Sequence, residues 1–84
     1  MTIPEIITSY AQHPYTFSFN RANCSVSVRN ADLFSYSTCI CQCIGGVFFA
    51  TTQKYSPTTS RHQTYLRRTL DQAKAEQIWQ DQLF

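Results

Sequence analysis

The sequence predicts an α+β fold: a four-stranded antiparallel meander with a short N-terminal helix and a longer C-terminal helix packed on one face. Two periodicities and one turn carry that expectation. Apolar residues recur every three or four positions near both ends of the chain. Between them they alternate with polar residues, the mark of half-buried strands. Gly45-Gly46, set between two such runs, has the form of a two-residue hairpin turn.

Thr2, Pro4 and Glu5 read as an N-cap, an early helical proline and a capping-box acid. Ile3, Ile6, Ile7 and Tyr10 then share one helix face until His13-Pro14 ends it. Tyr15, Phe17 and Phe19 alternate with Thr16, Ser18 and Asn20 in a first strand. Cys24, Val26 and Val28 do the same with Ser25, Ser27 and Arg29 in a second. A third run spans Leu33 to Ile44, and a fourth Val47 to Tyr55.

With Arg21-Ala22 as one turn and Asn30-Ala31-Asp32 as the next loop, Phe17 opposes Val26, Val26 opposes Tyr36, and Val28 opposes Phe34. Across the glycine turn, Ile44 opposes Val47 and Gln42 opposes Phe49. This register sets nearly every large apolar residue on one side, and a one-residue slip would scatter them. The third and fourth runs are longer and should overhang. There Cys39, Cys41, Cys43, Phe48 and Ala50 make the second side apolar too, the expected contact surface for a partner.

The second helix is expected from Ser60, with Ser60 and Gln63 at capping-box spacing and Leu66, Thr69, Leu70 and Ala73 as its stripe. Beyond Ala75 the stripe jumps. Ile78 and Trp79 fall on the opposite side, so either the helix breaks there or its end meets a second surface. They form a second candidate contact, because Trp is a frequent interface anchor.

The hydroxyl-rich YSPTTSRHQ, residues 55–63, therefore reads as a helix start. A nucleophile pair would need His62 to reach a hydroxyl and an acid to orient it, and no acid is near in sequence. Five acids and two histidines lie scattered, and the only two glycines belong to the hairpin. Catalysis and a cofactor are not expected. A helix N-terminus beside Arg61 could hold a phosphate, the minority reading of this stretch.

The chain is one domain, 1–84, with 43% apolar residues and enough aromatics for one core. No secretory signal or membrane span is legible, so four free thiols in a reducing compartment such as a cytoplasm are expected. Cys39, Cys41 and Cys43 lie two apart on a strand, about 6.5–7 Å from one to the next, too far apart to converge on one zinc. The net charge of +2 is too small to declare a nucleic-acid binder. Yet Lys54, Arg61, Arg67 and Arg68 have no acid among them, and nucleic acid is the rival partner. No aromatic is legible among them for base stacking. Gln80, Leu83 and Phe84 of the terminal QDQLF resemble the peptide that docks on the bacterial sliding clamp, with Asp81 and Gln82 departing from it.

The segments Phe34-Ser35-Tyr36-Ser37-Thr38, Lys54-Tyr55-Ser56 and Thr58-Thr59-Ser60-Arg61-His62-Gln63 resemble a family of small uncharacterised bacteriophage proteins. That family has a strand pair followed by K-Y-S-x-T-T-S-[KR]-H and a helix. The resemblance spans about residues 33–70 and omits the cysteines and QDQLF. It implies a phage accessory protein that binds and inhibits a host protein, with a CRISPR effector (anti-CRISPR action) among the candidate targets. A homodimer that hides the thiols is an equally physical use of the apolar patch.

Overall fold

A computed structural model describes residues 1–83. Helix α1 covers Ile3–Gln12 and begins with the expected capping box. The Thr2 N–H donates to Glu5 Oε1 at 2.7 Å, and the Glu5 N–H donates to Thr2 Oγ1 at 3.3 Å. Strands β1 (Val26–Arg29), β2 (Asp32–Ser35), β3 (Thr38–Ile44) and β4 (Val47–Thr51) follow. Helix α2 covers Pro57–Gln72, and a fifth strand, β5, covers Gln77–Gln80. The sheet order is β1-β2-β3-β4-β5, antiparallel except for β4 and β5, which run parallel.

A four-stranded antiparallel meander is present, built from different strands than the sequence suggests. Residues 15–20 form no strand, only an isolated bridge between Phe19 and Val28. The chain turns at Pro14 to Thr16 instead, where the Phe17 N–H returns to His13 O. The long run Leu33–Ile44 splits at Tyr36-Ser37 into a hairpin. Tyr36 takes a φ of +57°, rare for a bulky side chain, and its N–H donates to Ser25 O at 2.6 Å.

The register slips by one residue between β1 and β2. Asn30 and Ala31, with φ of 53° and 67°, turn the chain in two residues rather than the expected three. Val28 consequently opposes Leu33 and Val26 opposes Ser35. Leu33 and Ser35 face the helices, while Phe34 and Tyr36 lie outside the core. Around Gly45-Gly46 the expected register holds: Ile44 opposes Val47 and Gln42 opposes Phe49. Between Leu33 and Phe34 the β2–β3 ladder skips Ile40, a β-bulge that buries both Ile40 and Cys41.

Both helices cover one face. Ile6, Ile7 and Tyr10 of α1 and Leu66 and Leu70 of α2 are fully buried with Val26, Leu33, Cys41 and Ala50. Each such aliphatic side chain contributes roughly 1.5–3 kcal/mol. Tyr10 meets Phe48 edge-on at 5.6 Å and donates its OH to Ala31 O at 2.7 Å.

Ser56, not Ser60, caps α2, because Pro57 occupies the first helical turn and the Thr59 N–H reaches Ser56 Oγ at 3.2 Å. Gln63 instead donates to Thr51 O and Gln53 O, tying α2 to the end of β4. At its other end the Ala75 N–H donates to Leu70 O and the Lys74 N–H to Asp71 O, a Schellman closure. The helix therefore breaks before Ile78 and Trp79, and the turn returns the chain beside β4 as β5.

Two outcomes follow from these helix ends. Ser56→Ala should lower unfolding stability by about 1 kcal/mol in a urea titration, whereas Ser60→Ala should be near neutral. Lys74 sits at φ 54°, so Lys74→Gly should raise stability by about 1 kcal/mol with an unchanged m-value.

Candidate functional site

The bulge at Ile40 decides the fate of the expected apolar patch. Cys41, Cys43, Phe48 and Ala50 point towards the helices and are buried in the core, so they offer no contact surface. Only Cys39 lies on the opposite face, across from Phe34. Burial pushes the Cys39 thiol up to about 11 and the Cys41 thiol up to about 12, so neither is an activated nucleophile. Among the described residues no group of three His, Cys, Asp or Glu could hold a metal ion.

Ile78 and Trp79 do not form one patch, since successive strand residues point to opposite faces. Ile78 pairs with Phe49 on the side away from the helices and is 47% exposed. Trp79 pairs with Ala50 on the helix side, where the Arg67 guanidinium lies 4.3 Å from its ring centre.

The face opposite the helices carries apolar side chains on four strands, interrupted at its centre by Gln42, which pairs with Asp32 on one side and Phe49 on the other. The Ile44–Val47 and Phe49–Ile78 pairs adjoin, with the Phe34–Cys39 pair further along. Ile44 and Ile78 are exposed; Phe34, Cys39, Val47 and Phe49 are half-buried. Arg29 and Asp32 are the charged side chains of this face, opposed at the β1–β2 end, with Arg29 over the Phe34 ring at 5.0 Å. Desolvation raises the Asp32 carboxyl, opposed by the nearby Arg29 charge. A cleft of about 490 Å³ opens beside Phe34, bordered by Arg29, Tyr36 and Ser27. A solvated face of an antiparallel sheet is ordinarily polar, and this one is mixed, with exposed Ile44 and Ile78 towards its β3–β5 side.

Lys54, Arg61, Arg67 and Arg68 are all exposed. Lys54, Arg67 and Arg68 line one groove with Trp79, while Arg61 and Arg68 line a second with Tyr65. Strand β5 thus supplies an aromatic partner that the sequence pattern hides.

His62 is 2% exposed and sits in a buried polar chain. Ser56 Oγ–H donates to Thr59 Oγ1 at 3.1 Å, Thr59 Oγ1 lies 2.9 Å from Ser35 Oγ, and Ser35 Oγ lies 2.7 Å from His62 Nδ1. Each hydroxyl has one proton, so the chain runs in one direction and leaves Nδ1 as acceptor. Nε2–H then points to Ser25 Oγ at 3.5 Å. Both ring nitrogens are occupied and Ser35 is fully buried, so this pair fastens α2 to β2 and presents no nucleophile to solvent.

The terminal QDQLF is partly woven into the sheet: the Thr52 N–H donates to Gln80 O, and Thr52 Oγ1 donates to Asp81 Oδ1. Leu83 is half-buried, and Phe84 lies outside the described residues. Among the described residues no helix is long and apolar enough to cross a membrane.

Fold and surface define an α+β protein with two helices on one face of a mixed sheet and a partly apolar opposite face. Residues 5–83 match a family of unknown function, DUF8033, and the chain belongs to that family. No curated protein and no solved structure matches the chain significantly.

Burial, and secondarily the Arg61 charge, hold the His62 imidazole below its ordinary value of 6.5. The unfolded chain therefore takes up this proton first as pH falls, and stability present above that value is lost below it. Between about pH 7 and pH 5, unfolding free energy should decline more steeply in the wild type than in His62→Gln. His62→Ala should lower stability by about 3 kcal/mol, because Ser35 and Ser25 lose their partner.

Proposed function

We propose that the protein is a binding protein that attaches to a host protein through the sheet face opposite its helices and blocks it. The observation that supports binding is the exposed pair Ile44 and Ile78, with half-buried Val47 beside them, on the face away from the helices. Contiguous apolar surface facing water is the usual mark of a protein interface. Its charges are confined to one end, so a partner can desolvate the centre without stripping water from ions. The cleft beside Phe34 gives a partner side chain somewhere to insert. That the partner belongs to the host, and that binding inhibits it, rests on the resemblance to phage accessory proteins. A CRISPR effector is one candidate.

The test uses the whole chain as bait in bacterial lysate. Wild type should retain a defined protein, and Ile44→Asp with Ile78→Asp should weaken that binding by roughly tenfold or more. Arg67→Ala with Arg68→Ala should leave it intact, and added salt should matter little. Retention unchanged by the two aspartates would overturn this reading. If light scattering shows a dimer that the same substitutions split, the face is occupied by a second copy of this chain instead.

A further inference from the structure

We infer that the outer surface of α2 is a binding site for single-stranded nucleic acid, separate from the sheet face. Ser60, Thr64 and Arg68, one helical turn apart in succession, form a ridge shared by two grooves. The larger, of about 400 Å³, is walled by Lys54, Arg67 and Trp79. The smaller, of about 300 Å³, is walled by Pro57, Arg61 and Tyr65. Each groove therefore joins cations and hydroxyls to an aromatic ring. Asp71 is the one acid among the residues lining either groove, and its carboxylate already accepts from Gln77 Nε2 at 2.8 Å.

Four contacts hold the larger groove in shape. The Trp79 Nε1–H donates to Gln77 Oε1 at 2.8 Å, which fixes the indole plane. Arg67 lies 4.3 Å above that ring, so its guanidinium presents a flat, charged surface outwards. Gln63 bonds Thr51 O and Gln53 O, which keeps Lys54 across from the helix.

The spacing argues for a polymer. Arg61 and Arg68 are seven residues apart, about 10 Å along a helix axis, and Lys54 and Arg67 line the other groove, so the cations are spread over two grooves rather than gathered on one phosphate. A chain of phosphates can follow such a row while its bases stack on guanidinium and aromatic planes. An acidic polypeptide would satisfy the charges but leave the stacking surfaces unused.

Trp79 is the only tryptophan and lies under the Arg67 guanidinium, so its fluorescence reports a base stacking on that guanidinium. The probe is oligodeoxythymidylate of about ten nucleotides, with polyglutamate and inorganic polyphosphate as comparisons. At low salt the oligonucleotide should quench Trp79 saturably, and polyglutamate should not. With about three phosphates neutralised, log affinity against log salt should fall with a slope near −2. Arg67→Ala with Arg68→Ala should weaken binding by about tenfold and flatten that slope. Ile44→Asp with Ile78→Asp should leave it unchanged, so failure here does not touch the sheet-face reading. No binding at low salt would overturn the inference. So would equal affinity for polyglutamate or polyphosphate with Trp79 emission unmoved, which would mean an acidic protein or unselective polyanion contact.

Discussion

The left-handed conformations of Asn30 and Ala31 close the first hairpin in two residues, and much of the remaining architecture depends on that closure. Side chains alternate along a strand, so shortening a turn by one residue exchanges the two faces of everything paired through it. Here the exchange turns Leu33 and Ser35 inward and Phe34 outward. An inward serine has to find partners in a helix-covered core, because an unpaired buried hydroxyl costs about 1–3 kcal/mol. Thr59 and His62 of α2 are those partners. The polar chain that fastens α2 and the apolar surface opposite it thus have one geometric origin.

That fastening positions the later elements. With α2 capped at Ser56 and tied to β4 by Gln63, its C-terminal Schellman turn delivers β5 to the edge of β4. Parallel pairing there separates Ile78 from Trp79 and carries the indole beneath Arg67. The bulge at Ile40 acts in the other direction. It moves Cys39 out of line with Cys41 and Cys43, so one thiol lies on the open face and two lie in the core.

Signals that are local in sequence were legible. The Thr2–Glu5 capping box, the Gly45-Gly46 hairpin with its register, and Leu66 and Leu70 of the α2 stripe all read directly from residue type and spacing, whereas Ala73 is the exposed C-cap. What misled was chemistry in unexpected hands: Ala31 and Tyr36 occupy turn positions where Gly or Asn would announce a turn. The nine-residue hydroxyl-rich stretch offered two caps, and Pro57 chose between them by fitting only the first helical turn. Strand β5 was hidden because a parallel partner twenty-nine residues away leaves no alternation in a tetrapeptide QIWQ. The candidate sites inherited these errors. The four cations were found from charge alone, but the Trp79 beside them required β5, and the apolar face required the true register.

The orientation of the sheet is open to direct measurement by proton–proton nuclear Overhauser contacts in solution. Contacts of Phe48 with Tyr10, whose rings lie 5.6 Å apart, and of Leu33 with the helix-side core are expected, with Phe34 giving none to either helix. Contacts from Phe34 to Ile6, Leu66 or Leu70 would contradict this orientation, for that face would then be the core and no surface would remain for a partner.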